Sequence, residues 1–577
     1  MTKPGHNSRR RDYRRKLLAA VTVPALLLSA CSALPRDTDP QLLRSYNPEP
    51  DNQPIIGPTP GQEPDLLLRD FYSASAIPAG DYEAARTFLT ESAAESWSPE
   101  KSVLLVDAVD LTTDSESSSG DSRIYNVRGS VIGSLRSGGR YVPENSGYEA
   151  KIEMTKVDGE WRIADLPDGV VFERTELRNQ YQPQSLYFFD QTGQALVNDR
   201  RWLYTGQESL GTELITLLMQ GPSEGLQPAT SSVLPREAKF LGVDDGVYQF
   251  AGMSKMNSEE RTAFGAQLVW LLSNAGVQAP YRVEADGNPL IEGLEELNID
   301  DFAEYNPRVS ANTVAPLYAL NEGSLLRVST DEARPVEGEL GKSGRIQSAD
   351  ITEEGHAAAV LDEGGRSQLV VTELGGSIAK SISGDTMSRP TFEMGGQAAW
   401  VVVDGDKVVR AVRSSTNSDV VESEVNTSAL DDIDGEISVL RLSRTGTRVA
   451  MIIGGNVFTG VVERRDGGDF RIGDVQELAS ELGSTALSLD WQADGSLIVG
   501  TSTPETPVWR LEQDGSSATT LPSGNISIPV VSVAASPSTI YLTDYHAMLQ
   551  LPIETDSTYW REVPGLQGQR SAPIVAN

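Results

Sequence analysis

Apolar and polar positions alternate along this chain with a period that changes from region to region, and each change marks a new unit. The apolar residues of Leu66-Leu67-Leu68-Arg69-Asp70-Phe71-Tyr72 recur at helical spacing, and Gly80-Asp81 opens a second helix predicted over Tyr82 to Leu89. The period then falls to two. Val103–Leu111, Ile124–Leu135 and Tyr148–Lys156 read as strands, joined by Gly159–Ile163 after an Asp158-Gly159 turn. Helices first and a curved sheet afterwards predict an α+β domain over residues 66–175.

A second unit, residues 184–305, begins with a strand at Ser185–Asp190. It continues through Leu203-Tyr204 into a helix carrying Leu210, Leu214, Leu217 and Leu218. That helix must stop at Gly221-Pro222, because proline has no amide hydrogen to continue it and glycine accepts the positive φ of the cap. A strand pair about Asp245-Gly246, a helix over Glu259–Asn274 and a strand at Tyr281–Ala285, closed by Asp286-Gly287-Asn288-Pro289, complete an α/β unit.

From residue 312 to 577 the pattern becomes short apolar strands between glycine turns, and similar pieces recur. Asp350 to Gly355 precedes Ala357–Leu361, Pro390 to Gly395 precedes Ala398–Val403, Leu442 to Gly446 precedes Arg448–Ile453, and Trp491 to Gly495 precedes Leu497–Gly500. Ser536 to Ser538 before Ile540–Leu542 makes a further copy. A spacing of about 40–50 residues is that of a four-stranded blade, so this region is predicted to be an all-β propeller of five or six blades. Two orthogonally packed β-sheets are the alternative. In a propeller, stacking buries the apolar face that one blade alone would leave wet, and Trp400, Trp491 and Trp509 are expected to pack between blades rather than hold a ligand.

Ahead of these units, Lys3, Arg9, Arg10, Arg11, Arg14, Arg15 and Lys16 precede an uncharged apolar run from Leu17 to Ala30. This is the layout of an export signal over residues 1–30. As a helix the run would reach only about 21 Å, short of the roughly 30 Å hydrocarbon core. It ends in Leu28-Ser29-Ala30-Cys31, which resembles the lipobox of bacterial lipoproteins. Cleavage between Ala30 and Cys31 and lipid attachment to Cys31 are therefore expected, with the protein anchored at the outer face of the cytoplasmic membrane. An ordinary signal, or a short anchor helix with an incidental cysteine, is the alternative. Because Cys31 is the one cysteine of 577 residues, intrachain disulfides and multi-cysteine metal sites are excluded. The proline-rich segment 31–65, with Pro35, Pro40, Pro48, Pro50, Pro54, Pro58, Pro60 and Pro64, is expected to be a flexible stalk.

Charge narrows the partners. The chain carries a formal charge of −34, and loss of the signal, with its seven basic residues and Asp12, would take it to −40. Such a surface repels nucleic acid, so no nucleic-acid partner is expected. Candidate chemistry is sparse. His6 lies in the signal, and His356 and His546 sit singly at repeat turns, too far apart in sequence to form a recognisable ligand set. Gly364-Gly365, Gly375-Gly376 and Gly467-Gly468 lack the lysine and helix of a phosphate loop. Asp431, Asp432 and Asp434 before Gly435 lack the glutamate that closes a calcium loop. No catalytic residue, cofactor or metal is expected, and the chain is not expected to be an enzyme.

Several of these pieces carry resemblances. The run from Phe71 to Leu89 and the closing Asp158–Gly169 resemble the NTF2-like superfamily, which includes both small enzymes and noncatalytic modules; with no Asp/His or Tyr/Asp dyad evident, a binding or spacer role is implied, and Trp161 is read as core. Leu217–Leu226, Asp244–Phe250, Ala266–Leu272 and Val283–Leu290 resemble the GerM-type domain, departing from it at Gln249-Phe250-Ala251-Gly252. The order lipobox, NTF2-like unit, GerM-type unit and propeller resembles the LpqB family of actinobacterial lipoproteins over essentially the whole chain. That resemblance implies a noncatalytic modulator of a two-component sensor kinase, contacting an MtrB-like ectodomain and influencing cell-wall homeostasis and division. A wall-glycan binding module or hydrolase acting through the propeller is the alternative, with cell-wall polymer as its partner.

Overall fold

Pro64 sits where a helix tolerates proline, in the first turn of α1 (Pro64–Ala74), where its missing amide hydrogen would find no partner anyway. The computed structural model describes residues 57–114, 120–207, 209–307, 315–414, 419–465, 467–553 and 557–576. The expected signal, Cys31 and most of the expected stalk lie outside the described residues. The stalk's expected end at residue 65 is corrected. The helix has begun by Pro64, and the residues before it are tied down, the Gly61 amide donating to Glu160 Oε2 at 2.7 Å and Gln62 Nε2 to Asp70 Oδ2 at 2.6 Å. These bonds hold to a folded surface a segment whose composition alone reads as unstructured.

α1 buries Leu67, Leu68, Phe71 and Tyr72. The helix expected over Tyr82–Leu89 lies earlier, as α2 (Ala79–Arg86), with Gly80, Asp81 and Tyr82 all at positive φ. A short third helix, α3 (Glu91–Ser96), escapes the periodic pattern because it spans under two turns; Thr90 caps it by accepting from the Ala93 amide. The strand expected at Val103–Leu111 is broken into β1 (Val103–Val106) and β2 (Asp110–Thr113). The ribbon that follows, β3 (Ser122–Arg136) and β4 (Arg140–Val157), is longer than its alternation suggests. With β5 (Glu160–Asp165) and β6 (Val170–Glu173) these strands form a six-stranded sheet in the order β5-β4-β3-β1-β6, β2 pairing with β3. The helices close over it around Phe71, Phe88, Trp97, Ile152, Trp161 and Phe172.

α4 (Arg174–Gln180) leads into the middle domain. There β7 (Tyr181–Asp190), β8 (Leu196–Tyr204) and β9 (Thr230–Ser231) make one sheet. β10 (Lys239–Asp244), β11 (Val247–Ala251), β12 (Arg282–Ala285) and β13 (Asn288–Pro289) make another, in which β11 and β12 run parallel. α5 (Leu210–Gln220) is capped by Ser209 and stops at Gly221, whose φ is 94°, in the place the Gly-Pro pair predicts. α6 (Ser258–Asn274) starts with a capping box, Asn257 and Glu260 satisfying each other's backbone amides. Its stretch from Phe264 to Leu272 is buried all round, between the two sheets and Phe302.

The carboxy-terminal region is a ring of six four-stranded sheets. Five are built from consecutive strands. The sixth pairs the first strand of the region, Leu317–Asn321, with the last, Ala572–Val575, so the two ends of the chain segment complete one blade and close the ring. The apolar core is divided into six wedges, each between adjacent blades: Val401 packs with Val360, Trp400 with Met451, Trp491 with Ile452, Ile498 with Leu542, Met548 with Ala319, and Ile574 with Ile351. Each blade therefore depends on both neighbours for its burial. The repeat glycines Gly355, Gly395, Gly446 and Gly495 all have positive φ and all sit in the turn from a blade's innermost strand to the next.

Candidate binding site

The recurring turns fold to one end of the propeller, and what they surround is built from charge. Four innermost strands, or the loop leading to one, each contribute a buried ion near the ring axis. Asp350, Arg441 and Asp490 occupy the penultimate positions of Ile346–Ile351, Ile437–Leu442 and Ala486–Trp491, and Arg389 precedes Thr391–Phe392. Arg441, 4 % exposed, reaches Asp350 and Asp490 at 3.2 Å each and gives a further hydrogen bond to the Pro390 carbonyl at 2.7 Å. Arg389 reaches Asp350 at 3.2 Å and the Ala349 carbonyl at 3.1 Å. The second oxygen of each carboxylate is occupied too, by the Phe392 and Ala535 amides. Burial opposes the charge on Arg441, but the two flanking carboxylates more than offset it and its pKa is raised. Arg389, less buried than Arg441, is held below its ordinary value, first by desolvation and then by Arg441 beside it. The two cations and two anions cancel. They plug the axis between an apolar cavity of about 230 Å³ at one mouth and a cavity of about 240 Å³ at the turn end.

The turn end is covered by the middle domain, and β8 is the hub of that contact. Arg200 pairs with Glu512 at 2.7 Å and Asp514 at 3.2 Å, and Trp202 Nε1 donates to Asp514 at 3.1 Å. Arg201, paired to Asp199 at 2.7 Å, also donates to the Gly138 carbonyl at the tip of the β3–β4 ribbon. Arg140 of that ribbon meets Asp474 of the propeller at 2.5 Å. A small apolar cluster of Val197, Leu226, Ala229 and Val461 lies beside these bonds. Each of the three domains is thus fastened to both others.

Between β7–β8 and the turns at 443–447 and 492–495 lies a cleft of about 580 Å³, which shares Ser443, Arg444, Trp491 and Gln492 with the axial cavity. Arg448 stands at its back, its Nη2 donating to the Asn198 carbonyl at 2.7 Å. Desolvation lowers the pKa of Arg448, opposed by Asp199, Asp474 and Asp514. Asn198 Oδ1, buried in the same wall, has no hydrogen-bond partner among the described residues.

The residues singled out from the sequence fall elsewhere or serve packing. Cys31 lies outside the described residues. His356 begins the second strand of its blade and His546 lies in a turn held by Asp544; they belong to separate blades. Among the described residues no group of three or more His, Cys, Asp or Glu side chains could hold a metal. The paired glycines at 364–365 and 467–468 have positive φ in hairpin turns. Trp400 is fully buried against Phe470 of the next blade, and Trp491 Nε1 donates to the Arg441 carbonyl of the preceding one. Trp509 bonds within its own blade, to the Thr506 carbonyl, at the edge of the wedge it shares with the preceding blade. Trp161 is buried with Arg123 and Lys156 over its ring. The axial ions are not evident in the sequence, although one signal exists: aligned on their turn glycines, three of the four repeats carry Asp350, Arg441 and Asp490 at the same position, where the other has Pro390.

Comparison with known proteins agrees with this architecture. Residues 57–178 match the family model described as Lipoprotein LpqB, N-terminal domain, residues 185–291 match Sporulation and spore germination, and residues 323–576 match Lipoprotein LpqB beta-propeller domain. Lipoprotein LpqB of Corynebacterium diphtheriae is 41% identical, the alignment covering 98% of this chain and 100% of that protein. Lipoprotein LpqB of Corynebacterium jeikeium is 37% identical over 96% of each chain, and that of Mycobacterium bovis is 31% identical over 95% of this chain and 97% of its own.

Proposed function

Because this chain belongs to the LpqB lipoprotein family, we propose that it is a noncatalytic accessory of a two-component sensor kinase. In this reading it is anchored through a lipid on Cys31 at the outer face of the cytoplasmic membrane and contacts an MtrB-like ectodomain there. Among the described residues no helix is long and apolar enough to cross a membrane, and the lipid would supply the attachment. The observation that carries the reading is the mutual fastening of the three domains by Arg140–Asp474, Arg200–Glu512 and Arg201–Gly138. A body of this kind can favour one of two kinase states by fitting it better, which is what a shift in their equilibrium requires. Hydrolysis by the propeller has less support. Asp350 and Asp490, two buried carboxylates of the axial cluster, are both held by Arg441, whereas glycoside hydrolysis needs two carboxyl groups free to face the bond.

In-cell cross-linking followed by pull-down of a functional tagged protein should recover the kinase, and its repeated absence from the recovered partners would sink this reading. Cys31→Ser should abolish lipid labelling and leave an uncleaved or mislocalised precursor; unchanged labelling would overturn the anchor.

A further inference from the structure

One side chain of the middle domain breaks the apolar run in which it sits. From Phe264 to Leu272 every residue of α6 is buried, and Gln267, 3 % exposed, is the one among them that carries an amide. Half of that amide is satisfied. Its Nε2 donates to the Tyr187 carbonyl at 2.8 Å, and because a carbonyl can only accept, this bond fixes which end of the amide faces β7. The other end, Oε1, receives no hydrogen among the described residues, yet it is not one of the side-chain atoms sealed from solvent. Gln267 lines a cavity of about 630 Å³, and this oxygen is the end it turns there. An acceptor so nearly buried costs free energy until a donor reaches it.

The cavity lies between the carboxy-terminal end of α5 and the loop that follows β9, with Phe188 and Leu218 as its buried apolar wall. Its size suits a small molecule. Two half-buried hydroxyls in the lining already give their hydrogens to the protein, Thr230 to the Leu226 carbonyl at 3.3 Å and Ser231 to the Asp190 carbonyl at 3.0 Å. Toward a ligand they can only accept. α5 also ends bare on this side: a Cβ on Gly221 would meet nothing within 4 Å, and no hydrogen bond among the described residues reaches the Met219 or Gln220 carbonyl. A helix end of this kind carries partial negative charge. The charged side chains of the lining, Glu224 and Arg236, are exposed and opposite in sign. Away from that rim the side chains offer acceptors without donors. A hydroxyl or carboxamide would bring further acceptors, whereas an ammonium brings three donors and no acceptor, and its charge suits the end of α5.

We infer that this cavity of the middle domain binds an alkylammonium group, its nitrogen on Gln267 Oε1 and its carbon chain along Leu218, Val233 and Leu234. This goes beyond the kinase reading and does not rest on it, since the cavity is built by one domain and needs no partner to form.

The test uses the full-length lipidated protein in detergent micelles, with its methionine methyl groups labelled with carbon-13, titrated with n-butylammonium and with n-butanol at an ionic strength of about 0.15 M, where attraction to the acidic surface at large is screened. Met219 lines the cavity, whereas Met451 and Met548 lie in the propeller core. The amine should move the Met219 signal saturably and leave the other two in place. The alcohol, equal in length and neutral, should bind about tenfold more weakly, as loss of a charge-assisted hydrogen bond implies. Gln267→Leu should weaken the amine about tenfold and narrow its lead over the alcohol. A Gly-Lys-Gly peptide blocked at both ends carries the same butylammonium and separates the two sources of this chemistry: binding as tight as the free amine's marks a lysine of another protein as the ligand, and much weaker binding marks a small free amine. An unmoved Met219 signal, equal affinity for amine and alcohol, or undiminished amine affinity in a folded Gln267→Leu protein each overturns the assignment. The first two comparisons need no variant, so the proposal is exposed to failure even if Gln267→Leu misfolds.

Discussion

Arg441 and Arg444 are three residues apart, one at the end of an innermost strand and the other in the turn that follows, and the protein treats them in opposite ways. Arg441 is 4 % exposed and has two carboxylates and a carbonyl arranged around it. Arg444 is more open and makes no ion pair among the described residues. Where water is excluded, an unpaired charge costs several kcal/mol, so the fold must supply its counter-ions. Where water remains, the same side chain can stay unpaired at little cost and keep its donors for something else. Three residues of backbone thus separate a charge that holds the ring together from one that faces outward.

Changing the buried member is the most damaging way to break this comparison. Arg441→Met should destabilise the protein by about 3–5 kcal/mol in chemical denaturation, because Asp490 would lose its cation and Asp350 would keep only Arg389. Replacing Arg389, Arg441, Asp350 and Asp490 together with neutral side chains of similar volume should recover much of that loss. A fourfold variant no more stable than the single one would show that packing, not charge, sets the cost.

A smaller effect is expected at the domain contacts. Gly139 has a φ of 77°, and a Cβ there would overlap the Trp202 carbonyl, so Gly139→Ala should cost about 1–3 kcal/mol. Faster amide exchange at the tip of the β3–β4 ribbon would register it, and unchanged exchange would mean that the ribbon yields without strain. Arg200→Ala removes its pairs with Glu512 and Asp514, which keep other donors in Arg510 and Trp202, so a loss of about 1 kcal/mol is expected. Its signature should be exchange confined to residues near Glu512 and Asp514. Arg444→Gln belongs at the foot of the scale, changing stability by no more than about 0.5 kcal/mol. A loss comparable to that at Arg441 would erase the distinction between the two arginines.

Much of the fold was legible from particular residues. Gly221-Pro222 marks the end of α5, Asp245-Gly246 and Asp158-Gly159 lie in the hairpin turns they predict, and the glycines of the repeats lie in equivalent turns of successive blades. Family membership followed from the order of the parts. The failures have physical causes. α3 is too short to show a period, and the stretch 57–63 reads as loose because Glu160, its anchor, lies about a hundred residues further on. The candidate site was not legible at all. Arg444 and Gln492 are ordinary turn residues until the ring brings their turns together.

By itself, the sequence of this protein determined strand and helix periods, the turns, the caps and the division into units, because each depends on residues within a few positions of one another. Tertiary structure alone decided which charges would meet. Asp350, Arg441 and Asp490 are separated by 91 and 49 positions, and Leu317 pairs with Val575 across the whole region. Only closure of the ring brings these residues together, and only burial on the axis makes pairing obligatory for Arg441 while Arg444 stays free to face the cleft.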